Sequence, residues 1–589
     1  MASLDPFDAI VVGDFEFGGP DGMPEIRCAV FHDLRTGSTT RLWVDELRRL
    51  PGPPFDVGPR SLFVGHYASA ELNCFRMLGW PSPANVLDTY VEFRRLMNGI
   101  GAGRGGYLNL LAHYREGAMS AEEKDEMRDL ALRGGDYTAE ERKSLLDYCE
   151  GDVIPLAKIL PRLVADIDLG LSLGFDQHYV KAVSNLEGRG IPLDAPLVRR
   201  FIEALDEIKV MLPRDVDPDG LIYDGTRFVA SRFMAYVSAL HIPWPILESG
   251  SPDLKDDTFR QMAKIYPKEL GPIRETRHVL GQMKLASLCL CPDGRNRCMT
   301  SYYGTVTSRN TPSTAKFIFG SARWARSFIK PDHGMAVAYL DWSAQEYRVA
   351  ASLSGDLEML DDCQGDPYIR GAIRMSLAPK GATKSSHSAL RGQFKVVALA
   401  ALYGMGAATL AGRLGVHIRR ANELLELHRL IYRRYWEWSG NVTSRAWGSG
   451  LLTSRYGWKF GLTDETKPTT VMNWHIQTAG AEMLRHALIL AEANGVRVIA
   501  LVHDALMIEA PVDQIHTEVA RMRECMEVAS TKLLENTRVP TSCEIIAHPD
   551  RYRDEKDREA EMWPRMNRLL EQVETRRNRG RIIVPASTF

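Results

Sequence analysis

AVAYLDWSAQEYR (336–348) is a short apolar run that delivers one carboxylate, Asp341, at the end of a strand pattern. VIALVHDALMIEA (498–510) does the same for Asp504, and the apolar residues on both sides of His503-Asp504 read as strand, tight turn, strand. Between the two lies RGQFKVVALAALYG (391–404). Its Arg391, Lys395, Leu399 and Tyr403 recur at every fourth residue, and at 3.6 residues per turn each step drifts only about 40°, so they form one slanting stripe on a helix. Two carboxylates suited to divalent metal, with a helix that carries two cations toward phosphate, point to nucleotidyl transfer. Taken singly, the helix reads equally well as a core helix with snorkelling ends, and the His-Asp pair as a hairpin tip.

A chain of 589 residues is too long for one hydrophobic core, so two or more domains are expected. An apolar content of 45% and a charged content of 25% are ordinary and do not separate an enzyme from a scaffold. The net charge of −2 rules out a global basic field, so a nucleic-acid partner would be held by local Lys/Arg patches. The start MASLDPFDA has neither the basic nor the apolar region of a signal peptide, which leads us to expect a cytoplasmic location with the nine cysteines reduced. Cys289, Cys291 and Cys298 follow a CxC-x6-C spacing that lacks the fourth ligand of a structural zinc site. The longest uncharged run, Val396 to Gly412, is short for a membrane span and is broken by Gly404 and Gly406, so it reads as a buried helix.

Along the chain, DAIVVGDFEFGG near the start reads as strand and turn, and residues 120–165 are helical in pattern, which together suggest a compact α/β unit. A second beginning appears at VSNLEGRGIPLDAPLVRRF (183–201), so a boundary is expected between Asp166 and Phe175. Helical periodicity then dominates to about residue 300, interrupted by HIPWPILESGSPD (241–253) and CPDGRNR (291–297). The terminal RRNRGR (576–581) reads as a solvated basic tail.

The first unit carries its own acidic set. In VVGDFEF, Asp14 and Glu16 are two apart on a strand, so both carboxylates face one side of the sheet. LLDYCEGDV (145–153) places Tyr148 and Asp152 four apart, neighbours on one helix face. SLFVGHYASAELNCF (61–75) offers Glu71 after another apolar strand. Each acidic residue alone is more simply a solvated surface group, whereas the ordered set resists that reading.

The motifs DFE, GHYASAE and YCEGD resemble those of the DEDD superfamily of 3′–5′ exonucleases, in the subgroup with a tyrosine four residues before the last aspartate. The resemblance implies that Asp14, Glu16, Glu71 and Asp152 hold metal and that Tyr148 orients the attacking water. Glu71 departs from the aspartate usual there. RGQFKVVALAALYG in turn resembles motif B of the family A DNA polymerases, LDWSAQE resembles motif A and VHDA motif C. On that resemblance Asp341 and Asp504 are metal ligands and Arg391 and Lys395 grip the incoming triphosphate. Tyr403 packs by the templating base, Glu346 blocks the ribose 2′-hydroxyl, and His503 lies near the primer terminus. TVTSR (305–309) implies a minor-groove contact for Arg309, and Arg326 precedes motif A at the family's distance. NWHIQ implies that Asn473 and Gln477 check the minor groove, where the acceptors are the same for every correct pair. Leu399, Ala505 and Tyr368 depart from the aromatic residue, glutamate and histidine usual at their positions.

The fold implied is a multidomain α/β and α+β chain: a ribonuclease-H-like exonuclease domain over 1–168, then a right-hand polymerase domain over 169–589. Within the latter, thumb and the start of the palm are expected at 169–300, the motif A palm at 301–354, fingers at 355–470, the motif C palm at 471–550 and a C-terminal extension at 551–589. The function implied is template-directed DNA synthesis with 3′–5′ proofreading, without a 5′ nuclease domain, as in the short polymerases of bacteriophages. Two Mg2+ ions per active site are expected, with Mn2+ as a substitute. Primer–template DNA, dNTPs and replication accessory proteins are the expected partners of a monomer in a bacterial or phage-infected cytoplasm. The rivals are a single-subunit RNA polymerase, which Glu346 disfavours, and a catalytically inactive DNA-binding scaffold, which retention of Asp341, Asp504 and Lys395 disfavours.

Overall fold

The computed structural model describes residues 4–101, 105–117, 121–535, 537–555 and 562–582. They form two compact units: the first comprises residues 1–190, 297–312 and 335–545, and the second residues 191–296, 313–334 and 546–589. Neither is a continuous stretch, unlike the consecutive domains expected from the sequence.

The first unit contains two sheets. The N-terminal one has the order β3-β2-β1-β4-β5, with β1 Ala9–Gly18, β2 Glu25–Asp33, β3 Thr39–Trp43, β4 Ser61–Gly65 and β5 Asn85–Asp88. β1 pairs antiparallel with β2 and parallel with β4, so Asp14 and Glu16 stand on a central strand. Helices α1 (Ser69–Met77), α2 (Thr89–Met97), α3 (Ala121–Arg133) and α4 (Ala139–Asp166) accompany this sheet. The start of α4 is written locally: Thr138 accepts from the Glu141 amide and Glu141 accepts from the Thr138 amide, a reciprocal cap. Leu145, Cys149, Val153, Leu156 and Leu160 then face the apolar core that also holds Ile10, Val12, Val30 and Val64.

The second sheet has the order β7-β8-β6-β9, with β6 Met335–Trp342, β7 Val498–Val502, β8 Ala505–Pro511 and β9 Thr541–Ala547. Val502 pairs with Ala505, leaving His503 and Asp504 as a two-residue turn, and His503 adopts φ +56°. A non-glycine residue in that region costs about 1–2 kcal/mol, a strain that the sequence pattern alone does not announce. Helices α5 (Gln345–Ser354), α6 (Pro367–Arg374), α7 (Ser388–Leu402), α8 (Pro468–Ala493) and α9 (Ile515–Leu533) belong to the same unit. α7 buries Phe394, Val397, Ala398, Ala401 and Leu402, while Arg391, Lys395, Leu399 and Tyr403 lie on the more open side. A Cβ on Gly371 of α6 would fall 2.2 Å from the Phe394 ring, so glycine there lets α6 press against α7.

In the second unit, residues 562–582 form one helix, and residues 576–579 of RRNRGR are exposed on it, as the solvated reading expects. Its Trp563, Met566, Leu569, Leu570 and Val573 are buried, and Trp563 packs against Phe201, Trp324 and Phe328. Arg577 pairs with Glu207, and Glu574 with Arg200. Within the expected C-terminal extension, the helix 562–582 is thus a built part of this unit, because its apolar face supplies core to residues far away in sequence. Among the described residues no cysteine is disulfide-bonded, and no helix is long and apolar enough to cross a membrane.

Candidate active sites

Antiparallel pairing sets Asp341, near the end of β6, opposite Ala505, which places it beside Asp504 in the β7–β8 turn. The Asp341 carboxyl is pushed up to about 7, by burial first and then by the charge of Asp504, with Lys395 opposing the shift. Asp504 is raised as well, chiefly by burial, with Arg309 acting in the other direction. One carboxylate oxygen of Asp341 is buried without a hydrogen-bond partner. Two acids that resist ionising together, one with an uncommitted oxygen, fit a divalent cation, which takes hard oxygen donors and favours their charged forms.

The stripe predicted on α7 stands next to this pair. Arg391 donates from Nε to Asp366 at 2.8 Å, and Asp366 also caps α6 by accepting from the Tyr368 and Ile369 amides. The Tyr368 ring carries both cations, with the Arg391 guanidinium 5.3 Å and the Lys395 ammonium 5.5 Å from its centroid. An arene attracts a cation without neutralising it, so the Lys395 charge stays available to an anion, whereas Arg391 is also paired with Asp366. Asp366 is absent from the residues the sequence singles out, whereas Tyr368 in DPYIR (366–370) is the residue that stands where a histidine is usual.

Tyr403 donates to Glu346 at 2.6 Å, and Arg309 donates to the same oxygen at 3.2 Å, which brings three predicted residues together. Glu346 enters by the turn before α5, where Ala344 has φ +53°. Arg309 follows Ser308, whose carbonyl and hydroxyl bind Arg485 at 2.8 and 2.9 Å. The Val306 carbonyl accepts from Trp458, Trp474 and Asn98, at 3.1, 2.9 and 2.9 Å. Sequence reading missed Arg485, Asn98 and the two indoles, because each acts on backbone distant in the chain. On α8, Gln477 accepts from Thr307 at 3.4 Å, while both amide atoms of Asn473 are buried and unpaired. His503 is exposed, and Leu399 is half-buried on α7.

Arg326 lies in the second unit, where its guanidinium pairs with Asp554 at 2.7 Å, donates to the Phe319 carbonyl and sits over the Phe319 ring.

The second acidic set converges on β1. Ligand atoms of Asp14, Glu16 and Cys149 lie within 4.8 Å of one another. Asp14 is pushed up to about 7 by burial and by Asp152, against the pull of Lys124. Glu16 and Glu71 are raised well above the usual carboxylate range, by burial and then by Asp14. Glu71 is 3% exposed, and one of its oxygens has no hydrogen-bond partner. Cys149 donates to the Asp14 carbonyl at 3.3 Å. Asp152 is raised by burial, with Lys124 and the Tyr148 hydroxyl holding it down. Unlike the polymerase-motif pair, this cluster has a lysine bound to one of its acids: Lys124 lies 2.9 and 2.7 Å from the two Asp152 oxygens.

With this geometry in view, the relatives can be compared. Residues 282–550 match the family described as DNA polymerase family A. The chain is 26% identical over 221 residues to the thermostable DNA polymerase I of Thermus thermophilus, a match that covers 35% of this chain and 26% of that protein. It is 26% identical over 240 residues to the DNA polymerase of Mycobacterium phage D29, covering 39% of each. The matched region therefore spans well under two thirds of either relative. In fold, the chain is similar to the POL domain of Pol1 from M. smegmatis, solved in complex with DNA primer-template and dNTP. The TM-score is 0.64 at 16% identity, over 91% of this chain and 94% of that one.

Proposed function

We propose that this chain is a template-directed DNA polymerase that extends a primer 3′ end and edits it with a 3′–5′ exonuclease site. The observation that carries the synthetic half is the β6–β8 register, which brings Asp341 and Asp504 together beside the Arg391/Lys395 stripe. Arg391 and Lys395 bind the triphosphate of the incoming nucleotide. Glu346, held by Tyr403 and Arg309, fills the space where a ribose 2′-hydroxyl would go. Arg309, Asn473 and Gln477 read the minor groove of the primer–template, and His503 approaches the primer end. Asp341 and Asp504 would hold two Mg2+ ions, or Mn2+, which supply activation of the primer 3′-hydroxyl and charge stabilisation of the pyrophosphate.

The editing half rests on the convergence of Asp14, Glu16, Glu71 and Asp152 on one strand, with Tyr148 beside Asp152. Those carboxylates would hold divalent metal for hydrolysis of the terminal phosphodiester, with Tyr148 orienting water. The resulting organisation is a nuclease region up to about residue 168 followed by polymerase regions built from the rest. A cytoplasmic monomer acting with DNA, dNTPs and accessory replication proteins is the setting this reading implies.

The test is primer extension by the Asp504→Asn protein. Loss of extension with removal of a mispaired 3′ nucleotide intact is the expected result, and full extension would overturn the reading. Asp14→Ala should give the reverse pattern on the same DNA.

A further inference from the structure

Lys124 lies in a stretch, AEEKDEMRDL (121–130), whose charges read as a solvated helix, yet its ammonium is drawn inward. It is about three-quarters buried and donates to both oxygens of Asp152, at 2.9 and 2.7 Å. The Tyr107 ring centroid is 4.7 Å away and that of Tyr148 is 5.6 Å away. Tyr107 in turn donates its hydroxyl to the Asp152 carbonyl. The ammonium is therefore held by a carboxylate and two aromatic rings inside the acidic cluster. An exposed helical lysine gains little from a surface pair, and ordering a long side chain costs entropy, so a lysine fixed by three groups at such a place needs a local reason. Ligand atoms of Asp14, Glu16 and Cys149 meanwhile lie within 4.8 Å of one another, a group that does not include Asp152, although its charge reaches Asp14 and Glu16.

We infer that Lys124 is a catalytic residue of the proposed nuclease site, a resident cation that takes the place of one of the two divalent ions expected there. The inference rests on the nuclease reading of the site. In this arrangement the site binds one divalent ion on the Asp14 side, and the Asp152-held ammonium of Lys124 touches the scissile phosphate on the other. Hydrolysis adds the hydroxyl of water to phosphorus and breaks the bond from phosphorus to the 3′ oxygen. The water's remaining proton ends on that oxygen. Lys124 contributes fixed positive charge where the phosphate and the departing oxygen become more negative, which is worth most in a buried site. Tyr107 and Tyr148 hold the ammonium in place without neutralising it.

The experiment uses the full chain with Asp504→Asn as background, so that polymerase-site metal is weakened equally in every sample. Mn2+ is the probe, and bound ions are counted by the loss of the free-ion electron paramagnetic resonance signal. The background protein is expected to bind one Mn2+ at the nuclease site, and Lys124→Met to gain a second. Lys124→Met should also slow removal of a mispaired 3′ nucleotide on the order of a hundredfold, with much of the rate restored by Lys124→Arg. Equal Mn2+ counts with and without Lys124, or an unchanged rate in Lys124→Met, would overturn the inference. Asp14→Ala separates the two levels: if it leaves nucleotide removal intact, the nuclease reading itself fails. If it abolishes removal while Lys124→Met does not, only the role of Lys124 fails.

Discussion

Asp341 and Asp14 are both pushed up to about 7, the first by burial and Asp504, the second by burial and Asp152, but the cations near them are used differently. Beside Asp341, Arg391 and Lys395 share the face of Tyr368, and Lys395 is not bonded to either metal-facing aspartate among the contacts described. Beside Asp14, Lys124 is bound directly to Asp152. A cation held by an arene keeps its charge for an anionic ligand, whereas one held by a carboxylate compensates the acid itself. Arg391 is paired with Asp366, so the contrast lies in which acid is compensated: Asp152 of the first cluster has a cation bonded to it, while Asp341 has Lys395 near it without a described bond. It also separates the two sites experimentally.

The largest expected effect tests whether they are separate at all. Losing one polymerase-site ligand removes several kcal/mol of transition-state stabilisation, so Asp504→Asn should lower primer extension about a thousandfold or more while nucleotide removal persists. Parallel loss of both activities would merge the sites. Next comes selectivity at the polymerase site. Glu346→Ala frees the space beside Tyr403 and should cut discrimination against ribonucleotides by about a hundredfold, read as the ratio of kcat/KM for dNTP and NTP. An unchanged ratio would remove Glu346 from sugar selection. The arene platform gives a smaller effect. Tyr368→Leu should raise KM for dNTP by about tenfold with little change in kcat, and Tyr368→Phe should restore it, since the ring face and not the hydroxyl carries the cations. A Phe variant as impaired as Leu would assign the role to the hydroxyl.

The smallest effect is on pH. Folded Asp341 and Asp14 ionise at about 7, above the ordinary 3.8. Raised carboxyls stabilise the metal-free fold fully below the ordinary value, and that stability is lost as pH rises through about 7. The metal-free Tm should therefore fall between about pH 5 and pH 8. Mg2+ should offset that fall, because it binds the ionised forms. The Mg2+ needed for half-maximal extension should correspondingly rise about tenfold from pH 7 to pH 6. A Tm that is flat across this range would mean that the acids are already compensated by their cations.

Much of the polymerase-motif site was legible because its parts are local patterns. Asp341 and Asp504 end apolar runs, and period four is enough to align Arg391, Lys395, Leu399 and Tyr403. The alternation of Asp14 and Glu16 and the spacing of Tyr148 and Asp152 work in the same way. Lys124 was hidden among alternating charges, since nothing in AEEKDEMRDL distinguishes a lysine that turns inward from its neighbours. The partner of Arg326 was equally hidden: Asp554, more than two hundred residues on, pairs with it.

Strands, helix faces and the order of the motifs follow from the sequence alone, because side-chain period and turn chemistry act over a few residues. Only tertiary structure decided which acids meet, that Asp366 holds Arg391 and Tyr368 lies under both Arg391 and Lys395, and that the helix 562–582 packs into the second unit. These outcomes depend on burial and on charges brought together from distant parts of the chain. Neither has a signature in any short stretch of it.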